Sequence, residues 1–230
     1  MAEQESLLPN VIWHALSGPH AHLSSGTADA RRYAAGFSPL VAFADKDNPD
    51  FDALLAYCAE GEQFYCDGWS GPAPDGWEIM ADKTMYKMVW HGEIPDGDHA
   101  PAARRLGPQD AQQAFDLAAL TRPGPFGMRT IELGEYFGFF DGERLMAMAG
   151  ERLQAGMLRE ISGVCTHPDY RGRGLTRQLM YKLLQLQRAR GQTSFLHVMS
   201  DNHTAHEMYL RMGFRDHMES AVRVVQRKAR

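Results

Sequence analysis

Apolar and polar positions recur along this chain in two rhythms, and the changes of rhythm mark its elements. In LREISGVCT, residues 158–166, the period is two: Glu160, Ser162, Val164 and Thr166 share one face, and Ile161, Gly163 and Cys165 the other, as in a strand. A glycine inside such a run, Gly163, marks a bulge or a close backbone approach. Further on, Leu175, Leu179, Leu183 and Leu186 recur at helical spacing with Met180 and Leu184 beside them, while Arg177, Lys182, Gln185 and Arg188 face away. Gly191, after Arg188 and Arg190, has the chemistry of a helix C-terminus. SFLHVMS then reads as a buried strand. Asn202 is suited to cap a second helix with Ala205, Met208, Tyr209 and Met212 on its apolar stripe, and Gly213 with Phe214 supplies a left-handed stop. The order strand, turn, helix, strand, helix predicts two neighbouring parallel strands joined by a right-handed crossover.

The same reading upstream predicts further elements. PNVIWHAL starts a helix, SPLVAFAD is a short strand, NPDFDALLAYCAE is a helix with Pro49 at its start, and QFYCDGW and KTMYKMVWHG are strands. QDAQQAFDLAALT is a helix, and EYFGFFDGERLMAMAGERL holds two strands around a tight turn at Asp141 and Gly142. Between these groups, residues 91–108, HGEIPDGDHAPAARRLGP, carry repeated Pro and Gly and no apolar period. The expected division is a smaller α/β unit over residues 1–100 and a larger unit over 107–230.

Charge supports that division. Residues 1–100 hold 16 acidic and 5 basic side chains, giving −11; the totals of 29 and 24 leave 13 and 19 for residues 101–230, giving +6. A basic second half suits an anionic small molecule. The net charge of −5 and the lack of a dense basic stripe argue against nucleic acid as a partner. With 44% hydrophobic and 23% charged residues the composition is that of a globular protein, and no apolar run is long enough to span a bilayer. The opening MAEQESLLPN lacks the basic and apolar regions of a secretion signal, so a cytoplasmic location is expected. Cys58, Cys66 and Cys165 have neither disulfide nor zinc spacing and read as free thiols. His14, His20 and His22 lack a completing ligand set, and no metal is expected. Trp69, Trp77 and Trp90 read as packing between the halves, or, with Asp67, Asp75, Glu78 and Asp82 nearby, as a surface for a cationic acceptor.

Between the strand and the long helix stands the turn YRGRGLT. Such a turn offers unpaired backbone N–H groups and the positive end of a helix dipole, a geometry that binds phosphate. Gly172 and Gly174 allow close backbone approach, and Arg171 and Arg173 add charge. In isolation RGRG reads first as a solvated surface turn, and the surrounding sequence has to decide between the two.

VCTHPDYRGRGLT resembles motif A of the GNAT superfamily of acyl-CoA-dependent N-acyltransferases, with Arg171, Gly174 and Thr176 at its marked places, Thr176 standing where the family has Gly or Ala. NHTAHEMYLRMGF resembles the family's second signature through Asn202, Ala205, Tyr209, Gly213 and Phe214. The likeness covers roughly residues 107–225, within a group of bacterial acetyltransferases with a divergent N-terminal half. It implies an α+β fold of three-layer α/β type with a mixed central sheet, and acetyl transfer from acetyl-CoA directly to a primary amine of a small molecule or peptide. It also implies a gap between the motif A strand and its parallel neighbour that admits pantetheine, opened by a bulge at Gly163. The cofactor would then run along Val164, Cys165 and Thr166, over Arg171, Gly172, Arg173, Gly174, Leu175 and Thr176, and past Asn202. Its catalytic residues would be Glu160 as general base and Tyr209 as general acid. Glu160 is equally readable as a strand carboxylate paired with a neighbour, Tyr209 as a packed helix tyrosine, and the Cys165 side chain as core. A non-catalytic acyl-CoA binding or sensing module is the alternative function, and a homodimer is an open alternative to a monomer.

Overall fold

The computed structural model describes residues 5–229, so the first four residues of the opening segment lie outside it. In chain order its elements are helix α1 (Val11–Ser17) and strands β1 (Ser24–Gly26), β2 (Ala30–Tyr33), β3 (Leu40–Phe43), β4 (Gln63–Asp67), β5 (Trp77–Trp90) and β6 (Arg104–Arg105). Helix α2 (Ala111–Thr121) follows, then β7 (Tyr136–Asp141), β8 (Arg144–Ala155), β9 (Leu158–Thr166), α3 (Leu175–Ala189), β10 (Thr193–Met199), α4 (His203–Arg211) and β11 (Phe214–Arg227). The expected helix in NPDFDALLAYCAE is instead a 3₁₀ segment, Asp52–Tyr57, that serves to bury Phe51, Leu54 and Cys58 against an aromatic cluster.

All eleven strands form one mixed sheet in the order β1-β2-β3-β4-β11-β5-β10-β9-β8-β7-β6. Strands β9 and β10 are parallel, as the crossover through α3 requires, and β10 pairs antiparallel with β5. The expected boundary at 91–108 divides the chain but not the sheet: β5, from the acidic side, lies between β11 and β10 of the basic side. The reason is β11, a 14-residue strand that the sequence reading left unassigned; it pairs with β5 along almost its whole length and with β4 on its other edge.

Helices cover both faces, giving the expected three layers. On one face Leu179, Met180, Leu183 and Leu184 of α3 and Tyr209 of α4 pack on Met88, Ile161, Leu196 and Val198. Each such fully buried side chain contributes about 1.5–3 kcal/mol. On the other face α1 packs Val11, Ile12, Ala15 and Leu16 against Val89, Leu158 and Phe195, and α2 packs Ala114, Leu117 and Ala118 against Tyr136, Met148 and Cys165. Trp69 and Trp77 both pack on Phe51, at 5.0 and 5.2 Å between ring centroids. Trp90 donates from Nε1 to the Met212 carbonyl. The tryptophans therefore serve as core. Among the described residues no helix is long and apolar enough to cross a membrane.

Candidate active site

Strands β9 and β10 stay paired only through Leu158, Arg159 and Glu160, opposite Thr193, Ser194 and Phe195; beyond Glu160 they part. One cause lies in β9. Its pairing with β8 passes from Ser162 opposite Gly150 to Cys165 opposite Met148, so β9 carries one extra residue there. Gly163 holds φ at +62°, and a β-carbon on it would stand 3.0 Å from Tyr136 Cε1 and 3.2 Å from Phe126 Cε2. The bulge expected at Gly163 is present, and it is seated on two aromatic rings.

A cavity of about 370 Å³ opens at this parting. Glu160, Gly163 and Val164 line it from β9, His197 and Met199 from β10, Ala205 and Tyr209 from α4, and Asn202 from the cap of α4. It continues along Ile12, Leu40, Tyr65, Met85, Val222 and Val224, a largely apolar stretch with the charged side chains of Asp67, Lys83 and Arg122 beside it. Because successive strand residues point to opposite faces, His197 shares the α1 face with Phe195, whereas Leu196, Val198 and Tyr209 belong to the α3 and α4 face. The cavity thus joins the two faces of the sheet through the gap.

Glu160 is buried in the wall, where its carboxylate is saturated. Arg152 donates from Nη2 to Oε1 at 2.6 Å and from Nε to Oε2 at 2.9 Å. The Leu153 N–H donates at 3.2 Å, and His197 Nδ1 lies 2.7 Å from Oε1. Burial alone would raise this carboxyl, but the positive charge of Arg152 and the contact with His197 outweigh it and hold it far below the ordinary carboxylate range. A carboxylate so stabilised is a poor proton acceptor, which weighs against the reading of Glu160 as the base and for that of a paired carboxylate. Of the two sequence readings, the paired strand carboxylate describes it, although its partner is Arg152 and not the adjacent Arg159, which pairs with Glu151.

Across β10 from Glu160, Lys87 of β5 stands opposite His197 in register. Its ammonium contacts Asp67 at 2.6 Å and donates to the Leu8 carbonyl, and Ser220 donates to the other Asp67 oxygen. Asp67, one of the acidic residues considered as a lure for a cationic acceptor, is therefore already neutralised. Burial pushes the Tyr209 phenol up, so it keeps its proton at neutral pH.

The glycine turn lies outside the cavity lining. Gly172 and Gly174 have φ of +78° and +71°, no atom lies within 4 Å of a β-carbon on Gly172, and only Arg177 Nη2 approaches one on Gly174. Arg171, Gly172 and Arg173 are exposed, Gly174, Leu175 and Thr176 half-buried. No backbone carbonyl accepts from the N–H groups of residues 172–177 among the described residues, and the first bond of α3 runs from Gln178 to Gly174. The α3 N-cap is Gly174, without a capping side chain. Six open N–H donors at the start of a helix suit an anion. The Thr176 hydroxyl is 3.0 Å from that of Thr166, which turns its bulk onto β9. Asn202 caps α4, accepting from the Ala205 N–H at 3.2 Å. Cys165 is buried, and burial pushes its thiol up to about 11, so its side chain belongs to the core.

The sequence reading thus brought Glu160, Val164, Asn202 and Tyr209 to one cavity and missed His197, Arg152 and the Lys87–Asp67 pair. One signal was available for His197. It is the polar residue inside the apolar run SFLHVMS, two positions from Phe195, which places it on the Glu160 face once β9 and β10 are parallel.

An FR47-like family model matches residues 136–224. Among solved structures, a GNAT-family protein from Novosphingobium aromaticivorans is 30% identical over 96% of this chain and 99% of its own, with a TM-score of 0.86. A GCN5-related N-acetyltransferase from Kribbella flavida (13% identical, 97% and 96% covered, TM-score 0.64) shares the fold. So does a GCN5-related N-acetyltransferase-like protein from Streptococcus suis (15%, 98% and 99%, 0.57). No curated protein matches the chain.

Proposed function

We propose an activity from one established premise: the chain belongs to the GNAT superfamily, by its end-to-end likeness to the Novosphingobium protein and its FR47-like segment. The activity is transfer of the acetyl group of acetyl-CoA directly to a primary amine carried on an apolar body. The observation that carries it is the parting of β9 and β10 beyond Glu160, opened by the Gly163 bulge onto a two-sided cavity.

In this reading the pyrophosphate rests on the open N–H groups of residues 172–177, with Arg171 and Arg173 adding charge. The pantetheine arm enters the gap along Val164, Cys165 and Thr166, past Asn202. There the β9 backbone has no β10 partner, so an N–H is free to polarise the thioester carbonyl. Tyr209, protonated and at the cavity wall, supplies the proton to the departing thiolate. The acceptor lies on the α1 face, its body against Ile12, Leu40, Met85 and Val222.

Calorimetric titration with CoA and with acetyl-CoA tests the cofactor half of this reading. Saturable one-to-one binding is expected, and its absence overturns the reading. Binding with no turnover of any primary amine would instead favour the acyl-CoA sensing module.

A further inference from the structure

We propose that His197 is the general base of this site, and that Glu160 acts through it as a positioning residue; the inference rests on the acyltransferase reading. His197 lies in the cavity wall with its side chain 8% exposed. Glu160 is ionised and already takes three other donors, so the 2.7 Å contact at Oε1 requires a proton on Nδ1. The neutral ring then carries its lone pair on Nε2. Nε2 has no hydrogen-bond partner among the described residues although it is buried. An orphaned buried nitrogen is unfavourable, and that cost is offset once an acceptor or a water reaches it.

The arrangement fits the direction of the chemistry. His197 is on the α1 face, beside the apolar arm, and Tyr209 approaches from the α4 face, so proton removal from the nucleophile and proton delivery to the leaving group fall on opposite sides of the gap. Nε2 takes one proton from the ammonium, directly or through one water, leaving a neutral amine. The amine nitrogen bonds to the thioester carbon, and the carbon–sulfur bond breaks. The sulfur takes the Tyr209 proton, Tyr209 recovers a proton from the new amide nitrogen, and the imidazolium returns its proton to solvent. The products are the acetamide, CoA thiol and one released proton.

Charged groups face the ring from every strand packed beside it. Glu160 from β9 faces it, but Arg152 from β8 neutralises that carboxylate; Lys87 from β5 stands opposite, and Asp67 from β4 neutralises Lys87. Lys83 and Arg122 also reach the cavity, with Lys83 paired to Asp201. The imidazole is thus held by one directed hydrogen bond between two internally balanced ion pairs.

The test uses the intact protein, acetyl-CoA and a panel of primary amines headed by 2-phenylethylamine, reading CoA release. In H197N the amide occupies the place of Nδ1 and keeps a donor to Glu160 while the Nε2 lone pair is lost. It is expected to lower kcat about 100-fold, to leave CoA affinity in the calorimeter unchanged, and to narrow its deficit as pH rises toward the amine's own pKa of about 10. Wild-type turnover with an equal kcat in H197N overturns His197 alone. A wild type that binds CoA and turns over no amine overturns the acyltransferase reading and the base with it. Independently of any acceptor, ¹⁵N spectra of the CoA-bound protein at pH 8 are expected to show Nδ1 protonated and Nε2 bare. A proton on Nε2 overturns the assignment.

Discussion

Arg152 and Glu160 meet inside the protein as a two-point ion pair, with side chains only 8% and 1% exposed. Removing one partner strands the other charge in a medium that cannot solvate it, at a cost of about 3–5 kcal/mol. R152M is therefore expected to lose that much stability in denaturant unfolding, and R152M/E160Q to recover a large part of it, since the two sites are coupled. The pH dependence follows from the same pair. Arg152 and His197 hold the folded-state pKa of Glu160 below its unfolded value of about 4.3. Its contribution is thus fully present above that pH and is lost as pH falls toward the folded value. E160Q should flatten the acid side of the stability curve, and an unchanged acid slope would contradict the pairing.

Gly163 is the second point of leverage. G163V forces a branched side chain into a left-handed conformation and against Tyr136 and Phe126. The conformation alone costs about 1–2 kcal/mol, to which crowding adds. The melting temperature is expected to fall, and CoA binding to weaken more than that of an equally destabilised variant remote from the gap. Equal weakening in both would deny the bulge a role in admitting the cofactor.

Much of this architecture is written in local periodicity. The leucine stripe of α3 and the Asn202 cap each depend on residues within a few positions of one another and appear as expected; the alternation of LREISGVCT does not, because the extra residue at Gly163 puts Val164 on the α3 face with Ile161 and turns Cys165 to the α2 face. What was not legible depends on distant pairing. The β11 segment opens on Phe214 and the polar run RDHMES, whose strand character comes from pairing with β5. The 3₁₀ segment at Asp52–Tyr57 is shaped by an aromatic cluster that gathers Phe43, Phe64, Trp69 and Trp77 from separate elements. Glu160 was found by its motif, but its saturation by Arg152 and His197 requires β8, β9 and β10 side by side, which no spacing in one strand displays.

Tyr209 offers a kinetic test. Y209F removes the hydroxyl proton and keeps the ring against Phe214, which it meets edge-on at 5.9 Å. The expected result is kcat lowered roughly 10- to 100-fold with CoA affinity unchanged, since a thiolate is a tolerable leaving group even without an acid. A loss of affinity with kcat preserved would make Tyr209 a packing residue.

The central claim is that the gap between β9 and β10 carries acetyl groups from CoA to amines. Its most direct test is incubation of the wild-type protein with acetyl-CoA and the amine panel, following free thiol and identifying the product by mass spectrometry. The account predicts steady CoA release matched one-to-one by an N-acetylated amine, with the apolar amines fastest. Saturable acetyl-CoA binding with no amide formed from any amine would contradict it.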